Sequence, residues 1–414
     1  MKRVVVTGIG TINPIAKNVQ EYSHAMQEGI SGAAELTLVN PDNFKTKFAC
    51  EVKGFDPQEY MDRKTARKMD RFCQFAMVSA DEAFVHAGLA DAQLNHDRCG
   101  VIWGSGIGGM NTYEEEFRTY VKQGGGIPRF SPFMVPKLII DIAAGYISMK
   151  YDFRGVNFAT VSACASSSHA ILSAVDQIKL NKADVIIAGG SEAGINIMGI
   201  GGFSNMKALS NRNDDPSTAS RPFDRDRDGF VLGEGGGALI VESYEHARAR
   251  GANILAEIVG GASTADAYHL TAPHPEGRGA AAVMKLALQD AGMDKEDVDY
   301  INVHGTSTPL GDKAEVLAIQ KVFGEAAYQM NISSTKSMTG HLLGGAGAIE
   351  AIAGIVALTD GFVPPTINHF EDDPELDKRL NFTFNTPQQR ELQSFVSNTF
   401  GFGGHNTSVI MKKI

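Results

Sequence analysis

The chain has 414 residues, with 38 Lys and Arg against 48 Asp and Glu, a net charge of −10 and 43% hydrophobic residues. That balance describes a globular protein and argues against nucleic acid as the main partner. No apolar run reaches the roughly 18 residues of a membrane span, and MKRVVVTGIGTINP breaks its apolar run too early for a signal peptide, so the expectation is a cytoplasmic protein with no membrane partner.

The run VVVTGIG (4–10) predicts a first strand, and FCQFAMVSADEAFVHAGL (72–89) a helix. Just before that helix, DRKTARKMDR carries Arg63, Lys64, Arg67, Lys68 and Arg71. Arg63, Arg67 and Arg71 at i, i+4 and i+8 would share one helix face, a candidate landing site for an acidic partner. CGVIWGSG (99–106) predicts another strand. The GSGIGG that ends it matches GxGxxG, but no acidic residue follows about 20 positions on, so no dinucleotide cofactor is expected. The four cysteines, Cys50, Cys73, Cys99 and Cys164, form no CxxC pair, which points away from a zinc site, a redox pair and a disulfide framework.

GVNFATVSA (155–163) reads as a buried strand and ASSSHAILSAVDQIKL (165–180) as a helix. Cys164 lies at their junction, where free backbone N–H groups and the positive helix end converge. Such a setting lowers a thiol pKa and makes a nucleophile; the alternative is a small buried hydrophobe. His169 lies five residues on, about 500° of helix rotation and so roughly 140° away from the thiol, a poor base for it. DVIIAGG (184–190) and GGALIVES (236–243) predict further strands. The βα alternation is that of an α/β protein.

Beyond ARARGANILAEI (247–258) the theme repeats, predicting two similar halves, 1–250 and 251–414. GAAAVMKLALQDAGM predicts a helix, and DYINVHGTST, MNISSTKSMTGH and FVSNTFGFGGH predict strand-then-turn units. His304, His341 and the GFGGHN turn each fall at a strand end, where α/β sheets build their sites. Glu350 stands within the apolar GGAGAIEAIAGIVAL and needs a partner, for which Lys336 is the candidate; a solvent-facing Glu350 is the alternative.

Cys164 in ACASSS, His304 in HGTSTPLGD, Lys336 and His341 in STKSMTGH, and GFGGHN together resemble the β-ketoacyl-acyl-carrier-protein synthases. DAYHLTAPHPEG and SRPFDRDRDGFVLGEG resemble the same family, and the similarity covers nearly the whole chain. The resemblance implies a thiolase-like fold: two duplicated halves in αβαβα layers, and a homodimer. It implies that Cys164 takes the acyl chain from a carrier thioester and that His304 and His341 hydrogen-bond the malonyl thioester carbonyl. Lys336, paired with Glu350, would hold that arrangement, and the Cys164 and Phe402 N–H groups would form the oxyanion hole. Ile107 would line the acyl pocket, Phe402 would gate it with Phe400 beside it, and Thr306, Thr308 and Thr271 would contact the substrate arm. Acyl carrier protein, bearing acyl and malonyl groups on phosphopantetheine, would be the partner, with Lys64, Arg67 and Lys68 as its docking cations. No cofactor and no metal are implied.

The chemistry is consistent with these roles. Carbon–carbon bond formation needs a thioester held on a nucleophile and an enolate whose oxygen meets preorganised donors. A thiolase would need a second cysteine in the C-terminal half, and none lies beyond Cys164. A polyketide ketosynthase would share every catalytic residue, whereas a non-catalytic chain-length partner would lack the nucleophile.

Overall fold

A computed structural model describes residues 2–414. Ten strands form its main sheet: β1 (Val4–Ile12), β2 (Cys99–Gly104), β3 (Asn157–Thr160), β4 (Val185–Glu192), β5 (Gly235–Ser243), β6 (Ala256–Ala265), β7 (Tyr300–Asn302), β8 (Asn331–Ser333), β9 (Ser394–Gly401) and β10 (His405–Lys412). The order across the first five is β1-β5-β4-β2-β3, and across the second five β6-β10-β9-β7-β8. Adding five to each label converts one half into the other. The directions also match: β1/β5 and β5/β4 are antiparallel, β4/β2 and β2/β3 parallel, and so are their counterparts. The two sets join through a short antiparallel pairing of Val5 with Glu257 and Val6 with Ala256.

Alternation along the strands dictates the layers. Val101 and Trp103 of β2 face outward onto α1 (Arg71–His86) and α3 (Ile142–Tyr151), with α2 (Met110–Lys122) between β2 and β3 in the chain. Ile102, between them, faces the interior, as do Ile186 and Ala188 of β4. There two helices are sandwiched: α4 (Ser166–Lys179), which follows β3, and, after the short α5 (Ile197–Asn205), α6 (Arg278–Ala291) and α7 (Pro309–Phe323), the helix α8 (Ala346–Asp360), which follows β8. In the second half Val396 and Ile410 face outward onto α6 and α7, while Phe395 and Val409 face α8 and α4. The result is five layers: α1/α3, sheet, α4/α8, sheet, α6/α7. Every residue of α8 from Ala346 to Leu358 is buried. By length and mean hydropathy of 1.4, Leu343–Asp360 passes as a membrane span, contrary to the expectation that no run is long enough; 89% of it is packed inside the protein.

Two expectations are corrected here. The strand 157–160 is not buried: β3 is the outermost strand, and Phe158 and Val161 are 37% and 60% exposed. The basic segment is not one helix face either. Its helix covers only Arg63–Ala66 and ends before Asp70 caps α1 by accepting the Phe72 N–H. Arg71 turns inward, its Nη2 donating to the buried Glu234 Oε1 at 2.6 Å.

Candidate active site

The duplication brings the ends of β2, β3, β4 and of β7, β8, β9 to one place between the halves. After β3 the backbone turns sharply through Ala163, whose φ of 51° is left-handed and costly for a residue with a Cβ. Ser166 clamps the turn: its Oγ accepts the Ser162 N–H at 2.9 Å and donates to Ala163 O at 2.7 Å. The end of β2 presses against it, and a Cβ on Gly104 would lie 2.5 Å from Ser167 N. Cys164 is thereby held, buried, two residues before α4. His169 bonds Ser162 Oγ through Nδ1 at 2.6 Å and supports the turn from outside, as its helical angle predicts.

From the second half, the turn after β7 carries His304 and the segment after β8 carries Lys336 and His341. His341 Nε2 lies 3.0 Å from the Cys164 sulfur, and the His304 and His341 rings sit edge to face with centroids 5.3 Å apart. Lys336 is ion-paired with Glu350, both buried, which rules out the solvent-facing alternative for Glu350. The β9–β10 hairpin folds over the thiol. The Phe402 N–H acts on the sulfur to favour its charged form, and a Cβ on Gly401 would lie 3.1 Å from Cys164 N. The Phe400 ring is 5.8 Å from His304, and the Phe402 ring 6.4 Å from Phe203.

Burial governs the electrostatics. It pushes the Cys164 thiol up to about 12, against the Lys336 charge and the Phe402 N–H, which pull it down. The expected lowering of the thiol pKa is therefore reversed: desolvation of the charged form outweighs the Lys336 charge and the Phe402 N–H. Burial, then the Lys336 charge, holds His304 and His341 well below their ordinary 6.5, so both imidazoles are neutral. Glu315, on α7, is pushed up to about 7 by burial while it accepts the His304 and Gly305 N–H groups at 2.9 and 2.8 Å. Asp312, one turn earlier, rises to about 6 for the same reason, opposed by Arg227.

Cys164, His304 and His341 line a cavity of about 610 Å³. Ile107, Phe203, Phe230 and Leu343 supply apolar walls, and Thr271, Thr306 and Thr308 line it too. The two threonine hydroxyls of HGTSTP sit 3.0 Å apart. Lys64, Arg67 and Lys68 do not line the cavity; Lys64 and Arg67 are exposed, and Lys68 lies over the Phe133 ring at 5.6 Å.

The Cys164, His304 and His341 ligand atoms lie within 4.8 Å of one another, close enough to ask whether they hold a metal. The surroundings fit one poorly. Metal-bound histidines donate their second N–H to an acceptor, whereas both Nδ1 atoms here are buried without a partner, and the Lys336 charge acts on all three groups. Neutral donors beside a thiol suit a developing oxyanion instead.

Sequence reading overlooked Glu192, Asp312, Glu315 and Arg227. Each is buried and holds backbone around the site. The available signal was an acidic residue ending the fully buried, largely apolar β4, and the pair Asp312 and Glu315 sharing one face of α7 with Ile319.

Comparison with known proteins agrees with this architecture. The family model "Beta-ketoacyl synthase, N-terminal domain" matches residues 1–247, and "Beta-ketoacyl synthase, C-terminal domain" matches residues 255–370. A protein from Synechocystis sp. named 3-oxoacyl-[acyl-carrier-protein] synthase 2 is 47% identical over 412 residues, covering 100% of this chain and 98% of the relative. One of the same name from Coxiella burnetii is 46% identical, covering 100% and 99%. Among solved structures, a β-ketoacyl synthase from Burkholderia phymatum superposes with a TM-score of 0.91 at 35% identity, covering all of both chains. A type II polyketide ketosynthase solved in complex with its acyl-carrier protein gives 0.91 at 32%, covering 100% and 99%. The chain belongs to the β-ketoacyl synthase family.

Proposed function

We propose that the protein catalyses the decarboxylative condensation of acyl-carrier protein with malonyl-carrier protein, giving the 3-oxoacyl-carrier protein of fatty acid elongation. The observation that carries this reading is the meeting of Cys164, His341 and His304, from different halves, in one buried pocket. The names of the relatives at 46–47% identity support the same chemistry.

The Cys164 sulfur attacks the acyl thioester, its proton leaving with the carrier thiol, and an acyl-cysteine forms. Malonyl-carrier protein then binds with its thioester oxygen toward His304 and His341. Loss of CO2 leaves the bond electrons as an enolate, whose oxygen charge meets the two neutral imidazole donors. The enolate carbon attacks the acyl carbonyl, and the new oxyanion faces the Cys164 and Phe402 N–H groups. Collapse expels the cysteine sulfur, which regains a proton from solvent. Lys336, anchored by Glu350, fixes the positive field across the three groups. Ile107 lines the acyl end, Phe402 and Phe400 gate it, and Thr271, Thr306 and Thr308 hold the phosphopantetheine arm.

The test is direct. Purified protein given acyl- and malonyl-carrier protein should form 3-oxoacyl-carrier protein and CO2, and Cys164→Ala should form no product. Product formation by Cys164→Ala at the wild-type rate would overturn the assignment. A polyketide role uses the same residues, and would show as repeated extension without intervening reduction.

Division near residue 250 is supported by the duplicated sheet order. A homodimer is supported by the open β3 edge with exposed Phe158 and Val161, and by Tyr113, Phe117 and Val121 exposed along one face of α2; sedimentation would read twice the 44.3 kDa chain mass. Lys64, Arg67 and Lys68 offer cations to an acidic carrier. Four free, buried cysteines are in keeping with a reducing cytoplasm.

A further inference from the structure

β4 ends in a fully buried carboxylate, Glu192, that the condensing chemistry leaves unused. Every hydrogen-bond partner it has is uncharged. Oε1 accepts from Ser105 Oγ at 2.8 Å and from the Ile107 and Gly108 N–H groups at 3.2 Å each. Oε2 accepts from the Gly106 N–H at 2.7 Å and the Gly344 N–H at 3.0 Å. Burial pushes its pKa up, and these donors, rather than a counter-ion, oppose that shift. A buried anion is costly, and a nest of backbone N–H groups is one of the few uncharged settings that holds one.

The donors come from two different turns. Ser105 to Gly108 follow β2 and carry Ile107, while Gly344 belongs to the turn before α8 that carries Leu343. Ile107 and Leu343 both line the cavity and pack into one apolar cluster with Phe203. The turns touch: a Cβ on Gly344 would lie 2.2 Å from Gly106 N and 2.8 Å from Glu192 Oε2. Glycine on both sides lets one carboxylate reach both backbones.

We propose that Glu192 is a positioning residue for acyl-chain selection, tying the Ile107 turn to the Leu343 turn and so fixing the width of the passage leading from Cys164. This rests on the condensing function proposed above. A glutamine of the same shape must place an NH2 group against either the three donors on Oε1 or the two on Oε2. Donor then faces donor, and the two turns part.

The experiment is the rate of acyl-enzyme formation on Cys164, by intact mass, with hexanoyl-, dodecanoyl- and hexadecanoyl-carrier protein. The readout is the ratio of long-chain to short-chain kcat/KM, in which any unfolded fraction cancels. Glu192→Gln should raise that ratio about tenfold, the equivalent of one buried hydrogen bond, with the change carried in KM. Ser105→Ala, which removes one donor and keeps the carboxylate, should shift it the same way by less and stands in if the glutamine variant does not fold. Ratios in the folded variants within twofold of the wild type, or below it, overturn the proposal. Absence of acyl-enzyme on the wild-type protein overturns instead the condensing function, and this proposal with it.

Discussion

His341 Nε2 stands 3.0 Å from the Cys164 sulfur although the two residues are 177 positions apart and belong to different halves of the duplicated fold. Both partners are neutral: burial raises the thiol to about 12 and holds the imidazole well below 6.5. The proposed nucleophile therefore rests as a thiol and is activated only when a thioester is in place to receive it. Alkylation of Cys164 by iodoacetamide should then accelerate steadily with pH to at least pH 9. A rate that levels off near pH 7 would mean a resting thiolate and contradict this electrostatic picture.

Lys336 and Glu350 form a buried pair, 2% and 1% exposed at their side chains. Removing one partner strands the other. Lys336→Met should destabilise the fold by about 3–5 kcal/mol, and Lys336→Met with Glu350→Leu by clearly less, because the double variant leaves no uncompensated charge. Denaturant midpoints measure both. A double variant as unstable as the single one would show that the pair acts through something other than charge compensation.

Glu315 gives a pH signature. Its folded pKa of about 7 lies above the ordinary 4.5, so its stabilising contribution is complete below pH 4.5 and is lost as pH rises through about 7. His304 and His341, held low, act in the opposite sense and lose stability as pH falls below 6.5. Comparison with Glu315→Gln isolates the carboxyl group. The wild-type-minus-variant difference in unfolding free energy should shrink from pH 5 to pH 8, by up to about 1.4 kcal/mol per pH unit. A difference that grows with pH reverses the sign and the cause given for it.

The cations proposed to dock the carrier separate cleanly from the structural one. Lys64 and Arg67 are exposed, whereas Arg71 is tied to the buried Glu234. Lys64→Glu with Arg67→Glu should raise KM for acyl-carrier protein, most at low salt, and leave small thioester analogues unaffected. An unchanged KM at low ionic strength would place the carrier elsewhere.

What the sequence made legible follows from where the information is local. The strand-then-turn units ending at His304, His341 and GFGGHN are short patterns, and the structure gathers them around Cys164. The Lys336–Glu350 pairing was legible because a lone charge in an apolar helix must find a partner. Two local patterns misled. The apolar run at β3 is read as buried by composition, yet only the sheet order reveals it as the open edge. Arg63, Arg67 and Arg71 have helical spacing, but Asp70 starts a new helix between the second and third. The thiol pKa went the other way because the depth of burial, set by both halves closing over Cys164, is invisible in ten residues around it. Glu192 and Arg227 hold backbone atoms 86 and 81 positions away, and no local spacing announces those partners.

The central claim is the division of labour between the thiol and the histidines, and His304→Ala tests it most directly. Intact mass should still show an acyl group on Cys164, while CO2 release from malonyl-carrier protein falls about 10²–10³-fold, the usual cost of one preorganised oxyanion donor. A His304→Ala protein that releases CO2 at the wild-type rate but cannot be acylated would make His304 the base for the thiol and contradict the account.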